Sequence, residues 1–282
     1  MTTVQIHDAT NCLLGEGALW HPERGELLWF DILGRSLFAD GRRYRLDSIA
    51  SAAGWVDRHS LLIARQGALV RFDLRSGEAE TVAPIESDGV RPNDGRADPW
   101  GGFWFSTMGL KHETGKGAIW RYFRGEIRRI AGGITIPNAI CFDPEGRFAW
   151  WTDTAEGILR RQPLAEADGW PSGEAEAAID FRAEGLHPDG AVTDADGNIW
   201  IAFWGAGMVR GFAPDGTRLE YYPVPAAQSS CPAWGGELFS TLFVTSAAAG
   251  LSEDALTEAP DSGRTFAIPT GRRGQPEPRV VL

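Results

Sequence analysis

The chain has 282 residues, including 12 Trp, 14 Phe, 4 Tyr and 35 Gly, and a net charge of −11. That length is enough to bury a sizeable core, and the acidic balance argues against nucleic acid or an anionic membrane as the main partner. Cys12, Cys141 and Cys231 are odd in number and widely spaced, which excludes a disulfide framework and suits free thiols in a reducing compartment.

The N-terminus, MTTVQIHDATNCLL, has neither a basic n-region nor a continuous apolar core, so no signal peptide is expected. No later stretch approaches the roughly 18 apolar residues of a membrane span. A soluble, cytoplasmic protein with no membrane partner is the expectation.

Short apolar runs then recur in chain order: LLWFDI at Leu27, LLIARQ at Leu61, FWFSTM at Phe103, AWWTDT at Ala149, IWIAFW at Ile199 and LFVTSA at Leu242. The turn sequences ERGE, DRHS, PWGG, PEGR and DADGN precede the first five, and GALVRFD, GAIWRYF, GILRRQP and GMVRGFA read as following strands. The spacing, roughly 34 to 50 residues, is that of four-stranded propeller blades. The predicted fold is therefore all-β: a six-bladed β-propeller, residues 1–282 forming a single domain around a central channel. Most Trp and Phe side chains should pack between blades. DGWPSGEAEAAID reads as a loop insertion. The segments RTFAIPT and RVVL are expected to share a blade with VQIHDA and so close the ring. A two-sheet sandwich would have no need of the regular repeat.

Alignment of the repeats separates two kinds of polar position. EGALWHPERGELLW starts at Glu16, NDGRADPWGGFW at Asn93, NAICFDPEGRFAW at Asn138 and DGAVTDADGNIW at Asp189. Five residues further on come the turns His21-Pro22, Asp98-Pro99, Asp143-Pro144 and Asp194-Ala195. Asp194 therefore occupies a turn position, where a carboxylate bonds backbone N–H groups further on, and Asp196 belongs to the same turn. An EF-hand reading of DADGNIW fails on its glycine and its missing final glutamate. The starting residues open the innermost strand of each blade and point to one end of the channel. Small or apolar residues near Ala52 and Cys231-Pro232 take the remaining two blades. Carboxylates converging there repel one another unless a cation neutralises them, and carboxylate plus carboxamide oxygens suit a hard divalent ion.

Other chemistries lack their motifs. There is no G-x-S-x-G elbow, no H-E-x-x-H among the five histidines and no phosphate-cradling glycine loop followed by lysine. His187, close to Asp189, reads as a loop or packing residue.

LLGEGALWHPERGELLWFDI, RPNDGRADPWGGFWFSTMG, PNAICFDPEGRFAWWTDT, HPDGAVTDADGNIWIAFWG and CPAWGGELFSTLFVTSA together resemble the family of senescence marker protein 30 (regucalcin), gluconolactonases and luciferin-regenerating enzyme. The resemblance implies a six-bladed propeller with one catalytic divalent cation (Ca, Zn, Mn or Mg) that opens a sugar lactone to the free acid. It implies Glu16, Asn138 and Asp189 as metal ligands, Asp189 as catalytic acid/base, and Arg91 and Asn93 as substrate-binding residues. Two positions depart from the family pattern: Ala18 replaces a proline and Ala139 a glycine. GLKHETGKGA is expected to cover the site, with Lys111, His112 and Glu113 as candidate contacts. The alternatives are a phosphotriesterase or other esterase on the same scaffold, and a non-catalytic calcium-binding propeller. The intact ligand set favours an enzyme, and Arg91 with Asn93 favours a hydroxyl-bearing lactone.

Overall fold

The computed structural model describes residues 3–282. Its strands form six four-stranded antiparallel sheets, each a blade whose first strand lies innermost. The inner strands are Gly15–His21, Ala50–Asp57, Val90–Ala97, Pro137–Phe142, His187–Thr193 and Gln228–Gly235. We number the blades 1 to 6 in that order.

No blade buries both faces alone, so the aromatic load lies at the joints. Phe103, Phe105 and Tyr122 of blade 3 pack with Leu62, Ala64 and Leu69 of blade 2. Trp200 of blade 5 meets Trp234 of blade 6 edge-on, with ring centroids 5.7 Å apart. Trp104, Trp150, Trp200 and Trp234 are among the largest fully buried side chains. All three cysteines are buried free thiols.

Blade 6 closes the ring. Its strands Gln228–Gly235, Thr241–Ala247 and Thr265–Pro269 are joined by Gln5–Asp8 from the other end of the chain, with Gln5 opposite Ala267 and Ile6 opposite Phe266. RVVL does not share this blade. Pro276 and Pro278 interrupt strand pairing before it, and the segment crosses the far end of the channel instead. There Val280 donates its N–H to the Trp55 carbonyl and Val281 to Gly101, both at 2.8 Å. Nor is DGWPSGEAEAAID wholly a loop: Glu176–Asp180 is the outer strand of blade 4. This solvent-facing edge strand, with no residue fully buried, pairs on one side only, which is why its apolar signal is weak. Among the described residues no helix is long and apolar enough to cross a membrane.

The turn aspartates hold the hairpins. Asp98 accepts the backbone N–H groups of Trp100 and Gly102, each at 2.9 Å. Asp194, fully buried, accepts from the backbones of Asp196 and Asn198 at 3.0 and 2.9 Å, from the Asn198 amide and from the Trp200 indole at 2.9 Å. Asp194→Ala leaves those buried donors unpaired and should cost about 2–4 kcal/mol in urea unfolding. Calorimetric metal affinity of the same variant should be unchanged.

Candidate active site

The inner strands share one irregularity near their starts. Register shifts between Glu16 and Leu19, Pro92 and Gly95, Asn138 and Cys141, and Pro188 and Ala191. Such bulges bend a strand and re-aim its side chains. Here they turn the starting residues of four blades into the channel mouth. Gly17 follows Glu16 at φ 59°, and a Cβ on it would lie 2.1 Å from the Ser51 carbonyl oxygen, so only glycine fits. Ala139 follows Asn138 at φ 56°. Alanine thus adopts the left-handed backbone that glycine takes more easily, and the departure from the family pattern leaves the chain path intact.

A cavity of about 450 Å³ opens at this mouth, lined by Glu16, Arg91, Asn93, Asn138 and Asp189 together. Residues distant in sequence are therefore brought to one site. A larger groove of about 930 Å³ lies on the flank of blades 1 and 2 and contains none of them. From the covering loop, His112 and Leu110 line the cavity, whereas Lys111 and Glu113 do not. Glu113 Oε2 instead accepts the Lys111 N–H at 2.9 Å and closes the loop on itself. His187 is exposed and absent from the lining.

A hydrogen-bond chain orders the floor. Arg91 Nη1 donates to Asn93 Oδ1 at 2.9 Å, and Asn93 Nδ2 donates to Asn138 Oδ1 at 2.8 Å. Asn138 Nδ2 then donates to Thr154 Oγ1 at 2.8 Å, and Thr154 donates to the Pro188 carbonyl at 2.7 Å. Arginine can only donate and a carbonyl can only accept. Both amides are therefore oriented without ambiguity, the oxygen of Asn138 lying on the Asn93 side. Thr154→Val cuts the chain while keeping its shape, and should weaken divalent-metal binding about 10-fold or more by calorimetry.

Burial raises the pKa of Glu16 first; the nearby charges of Asp189 and Asp94 push it further. Asp189 is likewise raised by burial and by Asp94, with Arg91 pulling it down. Two acids thus share a confined space with one flanking cation. Among the described residues no three His, Cys, Asp or Glu side chains converge as a metal cluster. The donors on hand are two carboxylates and an oriented amide oxygen, the chemistry that hard divalent cations take.

Several supporting residues escape a reading of motifs. Asp31 accepts the N–H groups of Leu13 and Leu14 at 3.2 and 3.1 Å, and Asp153 those of Thr135 and Ile136 at 2.8 and 2.9 Å. Each anchors the chain just ahead of Glu16 or Asn138. The signal was present, since LLWFDI and AWWTDT both carry the aspartate two residues after a Trp. Beneath the floor, Asp94 accepts the Ile140 N–H at 2.8 Å. Arg96 pairs with Glu277 of the C-terminal segment and reaches the carbonyls of Ile140, Ala191 and Pro232 at 3.1–3.3 Å. This buried ion pair stoppers the channel from below.

Fold and site together define a six-bladed propeller with an acidic, hydrogen-bond-ordered pocket at one end of its channel. The chain belongs to the SMP-30/Gluconolactonase/LRE-like family, whose model matches residues 14–248. A protein of Rhizobium meliloti (strain 1021), provisionally named a sugar lactone lactonase, is 39% identical over 276 residues, covering 95% of this chain and 94% of its own. The L-arabinolactonase of Azospirillum brasilense is 34% identical over 304 residues, with 98% of each chain covered. Among solved structures, a calcium-binding protein, regucalcin, from Agrobacterium tumefaciens strain C58 superposes with a TM-score of 0.96 at 39% identity, covering 100% of this chain and 98% of that one.

Proposed function

We propose that the protein is a divalent-metal-dependent hydrolase that opens a sugar lactone to the free acid. The observation that carries this reading is the convergence of Glu16, Asn138, Asp189, Arg91 and Asn93 on one cavity, in a chain that aligns end to end with lactone-opening relatives.

Glu16, Asn138 and Asp189 hold the cation, which when bound supplies Lewis-acid polarisation of the lactone carbonyl. Loss of the Glu16 and Asp189 protons is what such a charge favours, because it offsets the repulsion that raises both groups without it. Arg91 keeps one guanidinium nitrogen on Pro92 and Asn93 and directs its other N–H groups at the substrate. Asn93 has both amide protons on Pro137 and Asn138, so it meets a substrate hydroxyl through its oxygen. Both residues fix the ring relative to Asp189. Asp189 accepts a proton from the attacking water as the new C–O bond forms. It returns that proton to the ring oxygen as the old C–O bond breaks, leaving the hydroxy acid.

The test is a panel of aldonolactones incubated with metal-depleted protein plus Ca, Zn, Mn or Mg, read by a pH indicator. Acid release well above the spontaneous rate with at least one pair is expected. No release with any lactone and any metal overturns the enzyme and leaves a metal-binding propeller.

A further inference from the structure

The carboxylate, guanidinium and amide side chains of the cavity gather at its floor. Above it the wall is made of Leu33, Ile49, Met108, Leu110, Ile136 and Trp204. Leu33 and Leu110 are 45% and 46% exposed, and both line the cavity. Part of the floor's hydrogen-bonding capacity is already taken up within the protein. Asn93 has its amide protons on Pro137 and Asn138, Thr154 its proton on Pro188, and Arg91 one nitrogen on Pro92 and Asn93. Of the remaining lining side chains only His112 and Trp204 carry polar groups.

A fully hydroxylated lactone has a hydroxyl on nearly every carbon. Seated with its carbonyl at the acids, it would press the hydroxyls of its far end against leucine and isoleucine. On the side facing the wall, each would give up water without gaining a protein partner. A methyl group in the same place would instead be removed from water against apolar carbon.

We propose that the substrate is a deoxysugar lactone, with hydroxyls on the carbonyl side and a terminal methyl against the Leu110–Ile136–Trp204 wall. This rests on the lactonase reading above and narrows it to a substrate class. One group exchanged in an apolar pocket changes specificity by about 10- to 100-fold.

The experiment compares kcat/KM for a 6-deoxyhexonolactone and its parent hexonolactone, matched in stereochemistry and ring size, on metal-loaded wild-type protein. The expected ratio is at least tenfold in favour of the deoxy compound. Leu110→Ser, at a half-exposed position where the fold is not at stake, should lower that ratio at least threefold. A wild-type ratio below tenfold with the parent opened, or a ratio unmoved by Leu110→Ser, overturns the substrate class and leaves the lactonase reading standing. Failure to open any lactone with any metal is the separate result that removes both.

Discussion

Asp189→Asn should lower kcat/KM for lactone opening by about 10²- to 10⁴-fold, the usual worth of a positioned acid/base. The amide keeps an oxygen toward the cavity but cannot take a proton from water. Metal must be saturating in the assay, because the substitution also removes one negative charge from the donor set. Measured so, the loss should appear in kcat as well as kcat/KM, since proton transfer occurs only on the way to the transition state. Activity near wild type would assign the proton to another group. The carboxylates on hand are then Glu16, at the same floor, and Asp94, which already holds the Ile140 N–H.

The second large effect is on stability. A divalent ion at a hundred times its Kd should stabilise the fold by about 2.7 kcal/mol, a rise in Tm of about 4–5 °C for a chain of this size. Glu16→Gln should abolish most of that shift. Its dependence on pH has a definite sign. Glu16 and Asp189 titrate well above their usual 4.5 and 3.8 because of burial and neighbouring acids. Between those usual values and the raised ones, the metal-free fold holds protons that the unfolded chain has released. The stability these two groups contribute to the metal-free fold is therefore full below the usual carboxylate range and is lost as pH rises through this window. Asp73 and the exposed Asp180, held low by hydrogen bonds from Arg75 and Arg182, act only below that window. Metal binding needs both carboxyls ionised, so the metal-induced rise in Tm should be larger at pH 8 than at pH 5. Scanning calorimetry at the two pH values checks this, and an equal or smaller shift at pH 8 would contradict it.

The architecture was legible because one physical requirement repeats. Every blade needs a turn and then an apolar strand, and the alignment on those turns distinguished Asp194 from Asp189 although the two lie five residues apart. Asp194 collects backbone and indole N–H groups, whereas Asp189 faces the cavity. What escaped the repeat belongs to single places in the chain. Glu277 lies in a proline-broken tail without a counterpart in other blades, and its buried pairing with Arg96 depends on the tail crossing the channel. RVVL carries strand-like residues but no partner edge, since Gln5–Asp8 already occupies the open side of blade 6. The covering loop was only half legible. Lys111, His112 and Glu113 are adjacent and all polar, and the loop's internal bond from Lys111 to Glu113 decides that His112 alone of the three reaches the cavity.

The most direct measurement is a titration of metal into depleted protein while lactone opening is followed by acid release. With the cation held by Glu16, Asn138 and Asp189, the rate should climb from near the spontaneous value to a plateau at about one equivalent per chain, as expected for a single tight site. Full activity in the depleted protein, unchanged by added metal and by Glu16→Gln, would contradict the account.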